Sequence, residues 1–310
     1  MCADISEKRL QLIQDLYEGI KVTRDYKDIL NHPDIDAVCI AVPTQMHYEL
    51  TKEALESGKH VLCEKPLTMK TEESRQLKEI AKKNGKKLMV GHIFLFNAGI
   101  LWLKQYIASG ALGKIFYVYA TRTNLGPFRY DVNALWDLAP HDISIFNYLF
   151  DSVPQSVSAT SHNFLDTAQD DLSFATLRYP QNTIANLHVS WLDPRKVRQI
   201  TVVGDKQMVI WDDLDSMGPI RIYDKHVEKT STFYATYGEF QLLSKEGSIT
   251  IPKVGVSEPL KAQARYFINC IENDEEPDLV DAQKGEDVVK TLCAIEESTR
   301  NHGKQVEVPA

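Results

Sequence analysis

Three residues of this 310-residue chain have types and settings suited to moving a proton: Lys65, Asp137 and His141. Lys65 lies in Cys63-Glu64-Lys65-Pro66-Leu67. Before it, Gly58-Lys59-His60-Val61-Leu62 is a turn signal followed by a short apolar run of strand character. After it, residues 68–85 space Leu77, Ile80 and Ala81 for one helical face. Lys65 is therefore expected at the carboxyl end of a parallel strand, where open α/β sheets place their ligands. Pro66 restricts its backbone to extended conformations. On spacing alone, an ordinary surface lysine before a turn is the plainer reading.

The second candidate is Trp136-Asp137-Leu138-Ala139-Pro140-His141-Asp142-Ile143-Ser144. Pro140 is tolerated in a first helical turn, which predicts a helix starting near Asp137. Asp137 and His141, four apart, then share one face. A carboxylate beside an imidazole orients the ring and favours proton uptake, so His141 suits a general base acting on an alcohol. An N-cap aspartate and a helix-start histidine with structural roles account for the same residues equally well. A metal site is not expected, because no further His or carboxylate recurs at ligand spacing.

The elements that must hold these residues fall into two groups. Residues 1–122 alternate helix and strand: a helix capped by Ser6, a short one over 25–30, a buried strand over Ala37 to Val42, then helix, strand into Lys65, helix to Gly85, and strand Leu88 to His92. Such alternation predicts βαβ units in a doubly wound parallel sheet, with the Ala37–Val42 run covered on both faces. From Ile115 onward, longer alternating runs (156–160, 172–178, 183–191, 198–203, 208–211 and 220–223) predict an antiparallel sheet with one covered face. Helices over 260–273 and 285–301 close the chain, the last one expected to pack back on the first domain. The predicted division is 1–122 and 123–310.

Bulk properties exclude several partner classes. The 35 basic against 43 acidic residues give a net charge of −8, which argues against nucleic acid or anionic membrane as main partner. No apolar run approaches the ~18 residues of a membrane helix. The N-terminus has neither the basic region nor the apolar core of a signal peptide. Five scattered cysteines without C-x-x-C spacing suit a reducing compartment, so the expected location is cytoplasmic.

A dinucleotide-binding sheet opens with strand, G-x-G-x-x-G and helix, followed ~20 residues later by an acidic residue. No such glycine cluster occurs here. Cys2-Ala3-Asp4 reads as the end of a second strand with its acidic terminus. The first strand, glycine turn and first helix are therefore expected to be absent from this sequence. Asp4 taken alone is simply an acidic residue near the start.

With Glu64-Lys65-Pro66 and Asp137-x-x-x-His141 in hand, the chain resembles the Gfo/Idh/MocA oxidoreductase family. Asp4-Ile5-Ser6, Val42-Pro43-Thr44-x-x-His47, the Glu-Lys-Pro motif, Gly91-His92 and the Asp137/His141 pair match in order, nearly end to end. The resemblance implies a Rossmann domain plus a C-terminal α/β domain whose large antiparallel sheet forms a homodimer or homotetramer interface. It implies NAD as cofactor, with Asp4 on the adenosine ribose and Pro43, Thr44, His47, Glu64, Lys65 and His92 lining the rest. It implies a sugar or cyclitol substrate, with Lys65 stabilising alkoxide and His141 taking the proton under the influence of Asp137. The His188 to Pro194 and Trp136 to His141 segments look most like the nucleotide-sugar 3-dehydrogenase branch, with inositol or aldose dehydrogenases as the alternative. Arg122, Asn124, Arg129 and Lys196 would then meet an anionic substrate. Trp136 offers a flat face to a ring, though burial in the core explains it as well. His188 is a substrate candidate, although a packed strand histidine is the plainer reading. Lys196, in Arg195-Lys196-Val197-Arg198, equally suits a solvated loop. A non-catalytic sugar or nucleotide sensor on the same fold is the rival from another class.

Overall fold

The computed structural model describes residues 1–167, 169–224 and 247–309. The first third alternates strand and helix: β1 (Cys2–Ala3), α1 (Glu7–Leu16), β2 (Val22–Thr23), α2 (Lys27–Leu30), β3 (Ala37–Ile40), α3 (His47–Glu56), β4 (His60–Cys63), α4 (Thr71–Lys83), β5 (Leu88–Val90) and α5 (Ala98–Ala108). Every ladder here is parallel, β1 with β2 and β3–β4–β5 in that order. Among the described residues no ladder joins the two groups, so the parallel strands form two separate sheets.

That separation corrects one expectation. The apolar run from Ala37 was read as buried on both faces, yet Ala37 and Val38 are partly exposed and Cys39 is exposed. β3 is an edge strand, paired only with β4. The strand flanked on both sides is β4, and its Val61, Leu62 and Cys63 are buried. Lys65 thus leaves from the best-supported strand of its sheet.

The remainder comprises β6 (Ile115–Leu125), α6 (Ala134–Phe150), β7 (Ser156–His162), β8 (Leu172–Arg178), β9 (Ile184–Ser190), β10 (Leu192–Gly204), β11 (Met208–Asp212), β12 (Ile220–Tyr223), β13 (Ile249–Thr250), α7 (Pro259–Glu272), α8 (Ala282–Arg300) and β14 (Val306–Glu307). The strands form one nine-stranded sheet, β13-β12-β11-β10-β6-β9-β8-β7-β14. Its ladders are antiparallel except β6 with β9. Since β6 belongs whole to this sheet, residues 115–122 go with the second unit. A boundary at 122/123 would cut a strand.

In register, Ala120, Leu187 and Ile200 lie side by side and point to the covered face. Helix α6 packs there against β6, β8 and β9, and touches α5 and α8 on its other sides. A helix enclosed all round needs apolar residues all round, and Leu135, Trp136, Ala139, Ile143, Phe146 and Leu149 are buried. The helix starts earlier than its proline suggests. Asn133 is the N-cap, its side chain accepting from the Trp136 N–H at 3.0 Å. Pro140 therefore sits inside the helix, removing one donor from the ladder.

Helix α8 does pack back on the first unit. The Val90 N–H donates to the Val280 carbonyl at 2.8 Å, and Lys78 pairs with buried Glu286. Gly285 permits this approach, since a Cβ there would stand 2.6 Å from Val90 Cγ2.

Candidate active site

Lys65 Nζ reaches across from the end of β4 to the first turn of α6. It donates to the Asp137 main-chain carbonyl at 2.7 Å and lies 3.7 Å from Asp137 Oδ1. Its side chain is only 14% exposed. Burial is the main influence on its pKa and lowers it, partly opposed by the Asp137 carboxylate. The Asp137 carboxylate is itself held by two further donors, Arg129 Nη1 at 3.0 Å to Oδ1 and Trp191 Nε1 at 3.2 Å to Oδ2. A loop is tied in as well: Arg129 pairs with Asp131, whose carboxylate also accepts from the Thr44 N–H at 3.4 Å.

This arrangement corrects the expected Asp137–His141 couple. The two share a helix and a neighbourhood, but the Asp137 oxygens are committed to Lys65, Arg129 and Trp191. His141 Nδ1 is sealed from solvent with no hydrogen-bond partner among the described residues. The ring stands edge-on to Phe94 at 4.9 Å. Burial first, then the positive charges of Lys65 and Arg122, holds its pKa well below the ordinary histidine value, so it is neutral at pH 7. Among the described residues, the partners of the Asp137 side chain are thus Lys65, Arg129 and Trp191.

His92 follows β5 near the β4 exit, since Cys63 and Val90 are register partners at the two strand ends and Lys65 and His92 each lie two residues beyond. It is fully buried, and neither ring nitrogen has a partner among the described residues. Burial, and then Lys65, push its pKa down to about 3. Glu64 points toward Gly91, where a Cβ would be 2.9 Å from Glu64 Oε2. Burial raises the pKa of its carboxyl.

Other expected cofactor residues divide. Pro43 is exposed at the end of β3, while Thr44 is buried. His47 is buried and braces two strand exits, Nδ1 at 2.8 Å from the Pro66 carbonyl and Nε2 at 3.0 Å from the Val42 carbonyl. Asp4 stands just beyond β1, where Oδ1 accepts from the Ser6 N–H at 2.7 Å and Oδ2 lies 3.4 Å from Arg9. It caps the turn into α1, for which the Ser6 side chain makes no bond.

The expected substrate residues are mostly engaged elsewhere. Arg122 is buried and makes two 2.8 Å bonds to Asp142, its guanidinium 4.4 Å from the Phe94 ring. Arg129 serves Asp131 and Asp137. Trp136 is core, with Nε1 donating to Glu296 at 2.7 Å. Asn124 donates to the Gly126 carbonyl. His188 stacks on Phe174 at 4.4 Å, and Lys196 is exposed on the bulged start of β10. The partners of Arg122 and Trp136 lie 20 and 160 residues away in the chain, which spacing does not reveal.

Three residues near the site were not singled out as candidates, Phe94, Asp131 and Trp191, whereas Arg198 lies in the basic run 195–198 considered for an anionic substrate. Arg198 is the direct cross-strand neighbour of Arg122. Like charges so placed repel, and each has its own carboxylate, Asp142 for Arg122 and Asp213 for Arg198 at 3.2 Å. Both guanidiniums lie over Phe94.

Residues 2–92 match the model of the Gfo/Idh/MocA oxidoreductase family's NAD-binding Rossmann fold, and residues 100–210 match the family's C-terminal domain. The chain belongs to the Gfo/Idh/MocA oxidoreductase family. It is 31% identical over 209 residues to the oxidoreductase YdgJ of Escherichia coli K12, covering 63% of this chain and 59% of that one. It is 31% identical over 183 residues to the UDP-N-acetylglucosamine 3-dehydrogenase of Acidithiobacillus ferrooxidans, covering 58% and 54%. The chain thus matches less than two thirds of the length of these curated relatives. In fold it is similar to levoglucosan dehydrogenase solved with NADH and levoglucosan, with a TM-score of 0.82 and 20% identity over 99% of this chain and 89% of that one.

The residues present fit one part of a dinucleotide better than another. Strand exits at Pro43, Glu64 and Gly91 line a common end of the β3–β4–β5 sheet, and among the described residues both His92 ring nitrogens and His141 Nδ1 are buried without a partner. Asp4 offers a carboxylate for a ribose. No Gly-x-Gly-x-x-Gly run is present to supply the backbone donors a pyrophosphate needs.

Proposed function

We propose that this protein is an NAD-dependent oxidoreductase that acts on a CH–OH carbon of a sugar. The observation that carries this reading is the Lys65 ammonium, held nearly dry between the Asp137 carbonyl and carboxylate and beside an unprotonated His141. A substrate hydroxyl oxygen placed here would accept from Lys65, which favours the developing alkoxide in a low-dielectric cleft. His141, with its low pKa, arrives empty and takes the hydroxyl proton. Arg129 and Trp191 hold the Asp137 carboxylate so that the lysine does not swing. A bound nicotinamide supplies the hydride acceptor.

Similarity to the UDP-N-acetylglucosamine 3-dehydrogenase supports a nucleotide sugar, oxidised at C3, as substrate. Because Arg122 and Arg129 are neutralised internally, they hold the site together and leave the substrate's anionic groups to other residues. NADH formation is measured with UDP-N-acetylglucosamine and with myo-inositol. Turnover of the nucleotide sugar supports the reading; turnover of inositol alone replaces it with a cyclitol dehydrogenase. Self-association belongs to the same proposal: the uncovered sheet face carries Tyr117, Tyr119, Phe174 and Ile184, all exposed. Light scattering on a Tyr119→Glu variant should show a smaller assembly than the wild type.

A further inference from the structure

Beside Phe94 lies a cavity of about 560 Å³. Ile93, Phe94, Pro259, Leu260 and Ala264 give it an apolar wall, while Asn97, Arg198, Asp213, Glu258 and Lys261 give it polar groups. Phe94 connects it to the chemistry, since the same ring touches His141 at 4.9 Å. A built array occupies the floor. Arg198 Nη1 donates to Asp213 Oδ2 at 3.2 Å, and Asn97 Nδ2 donates to Asp213 Oδ1 at 3.2 Å. Asn97 is in turn fixed, its Oδ1 capping α5 through the Gly99 N–H at 2.8 Å.

The inventory of free valences defines what fits. Each Asp213 oxygen accepts one of these bonds and keeps a further acceptor position. Arg198 carries five N–H groups, and one is used on the Asp213 side chain. A carboxylate acceptor beside a guanidinium donor, at the edge of an aromatic ring, matches a vicinal diol on a sugar ring. One hydroxyl donates to Asp213, its neighbour accepts from Arg198, and the C–H face lies on Phe94. The net charge of the lining, two cations against two anions, favours a neutral polyol over a phosphate.

We propose that the Phe94–Arg198–Asp213 cavity is a second sugar subsite, which binds the hydroxylated ring next to the one being oxidised and so sets the substrate's size. The inference rests on the reading of the adjacent cleft as a sugar-oxidising site. Arg198 and Asp213 are specificity-determining residues in this account, apart from the Lys65 and His141 chemistry.

The test is binding without cofactor, so that it does not depend on turnover. Saturation-transfer NMR is run with cellobiose and glucose as probes on the wild type, Arg198→Leu and Asp213→Asn. The subsite predicts that cellobiose binds the wild type more tightly than glucose and that both of its rings receive saturation. It predicts a roughly tenfold or greater loss of cellobiose affinity in either variant, the scale of one charge-assisted hydrogen bond, with glucose binding unchanged. Equal binding of the two probes by the wild type, or an unchanged ratio in both variants, overturns it. Asp213→Asn keeps the shape of the side chain and decides the matter alone if Arg198→Leu fails to fold. Absence of NAD-linked turnover with the binding ratio intact would count against the dehydrogenase reading and leave the subsite standing.

Discussion

The Lys65 ammonium is bound to the main chain of Asp137 at 2.7 Å more closely than to its carboxylate at 3.7 Å. That carbonyl is a main-chain group in the first turn of α6. The lysine is therefore fixed by helix backbone, and substitution of the aspartate side chain leaves the 2.7 Å bond available. Asp137→Asn should lower kcat/KM by about tenfold to a hundredfold, whereas Lys65→Met should lower it by about a thousandfold or more. Steady-state kinetics on the two variants test this ordering.

Lys65→Met should also raise the melting temperature at pH 7. Burial lowers the lysine pKa from 10.5 in the folded chain, so the unfolded chain binds the proton more tightly. Charged Lys65 therefore destabilises the fold below its folded pKa, and that penalty fades as pH rises toward 10.5. Calorimetry from pH 7 to 10 should show the advantage of the methionine variant shrinking.

The two dry histidines predict a pH dependence of the same sign, on the acid side. His92, held at about 3, and His141, also lowered, are neutral when folded, while the unfolded imidazoles titrate near 6.5. Stability attributable to them is present above 6.5 and lost as pH falls toward the folded values. Denaturant titrations at pH 7 and pH 5 should show a loss of stability that is smaller in His92→Leu.

The Arg122–Asp142 pair is enclosed, with side chains 3% and 2% exposed. Asp142→Ala strands a guanidinium and should destabilise by about 3–5 kcal/mol. Arg122→Met combined with Asp142→Leu should recover most of that loss. Urea melts of the single and double variants measure it.

Cofactor choice is predicted to be biased toward NADH, which fluorescence titrations with NADH and NADPH measure. Asp4→Ala should narrow the preference for NADH over NADPH, since the carboxylate repels a 2′-phosphate.

Much of this protein was legible in its sequence. The period-two runs set the strands: residues 172–178 and 220–223 were bounded as the structure has them, because alternation records which face is covered. The turn before His60 and Pro66 after Lys65 placed the lysine at a strand exit, since local sterics suffice for that. The four-residue spacing of Asp137 and His141 put both on one helix, but it did not decide what each would touch. Tertiary structure gave the Asp137 oxygens to Lys65, Arg129 and Trp191. It turned Arg122 inward to Asp142, and it used His47 to brace two strands. Hydrogen-bond partners far apart in the chain are chosen by which buried groups must be satisfied once the elements pack. Local spacing carries no record of that choice, so the sequence determined which residues stand at the cleft and the packed fold decided how each is used.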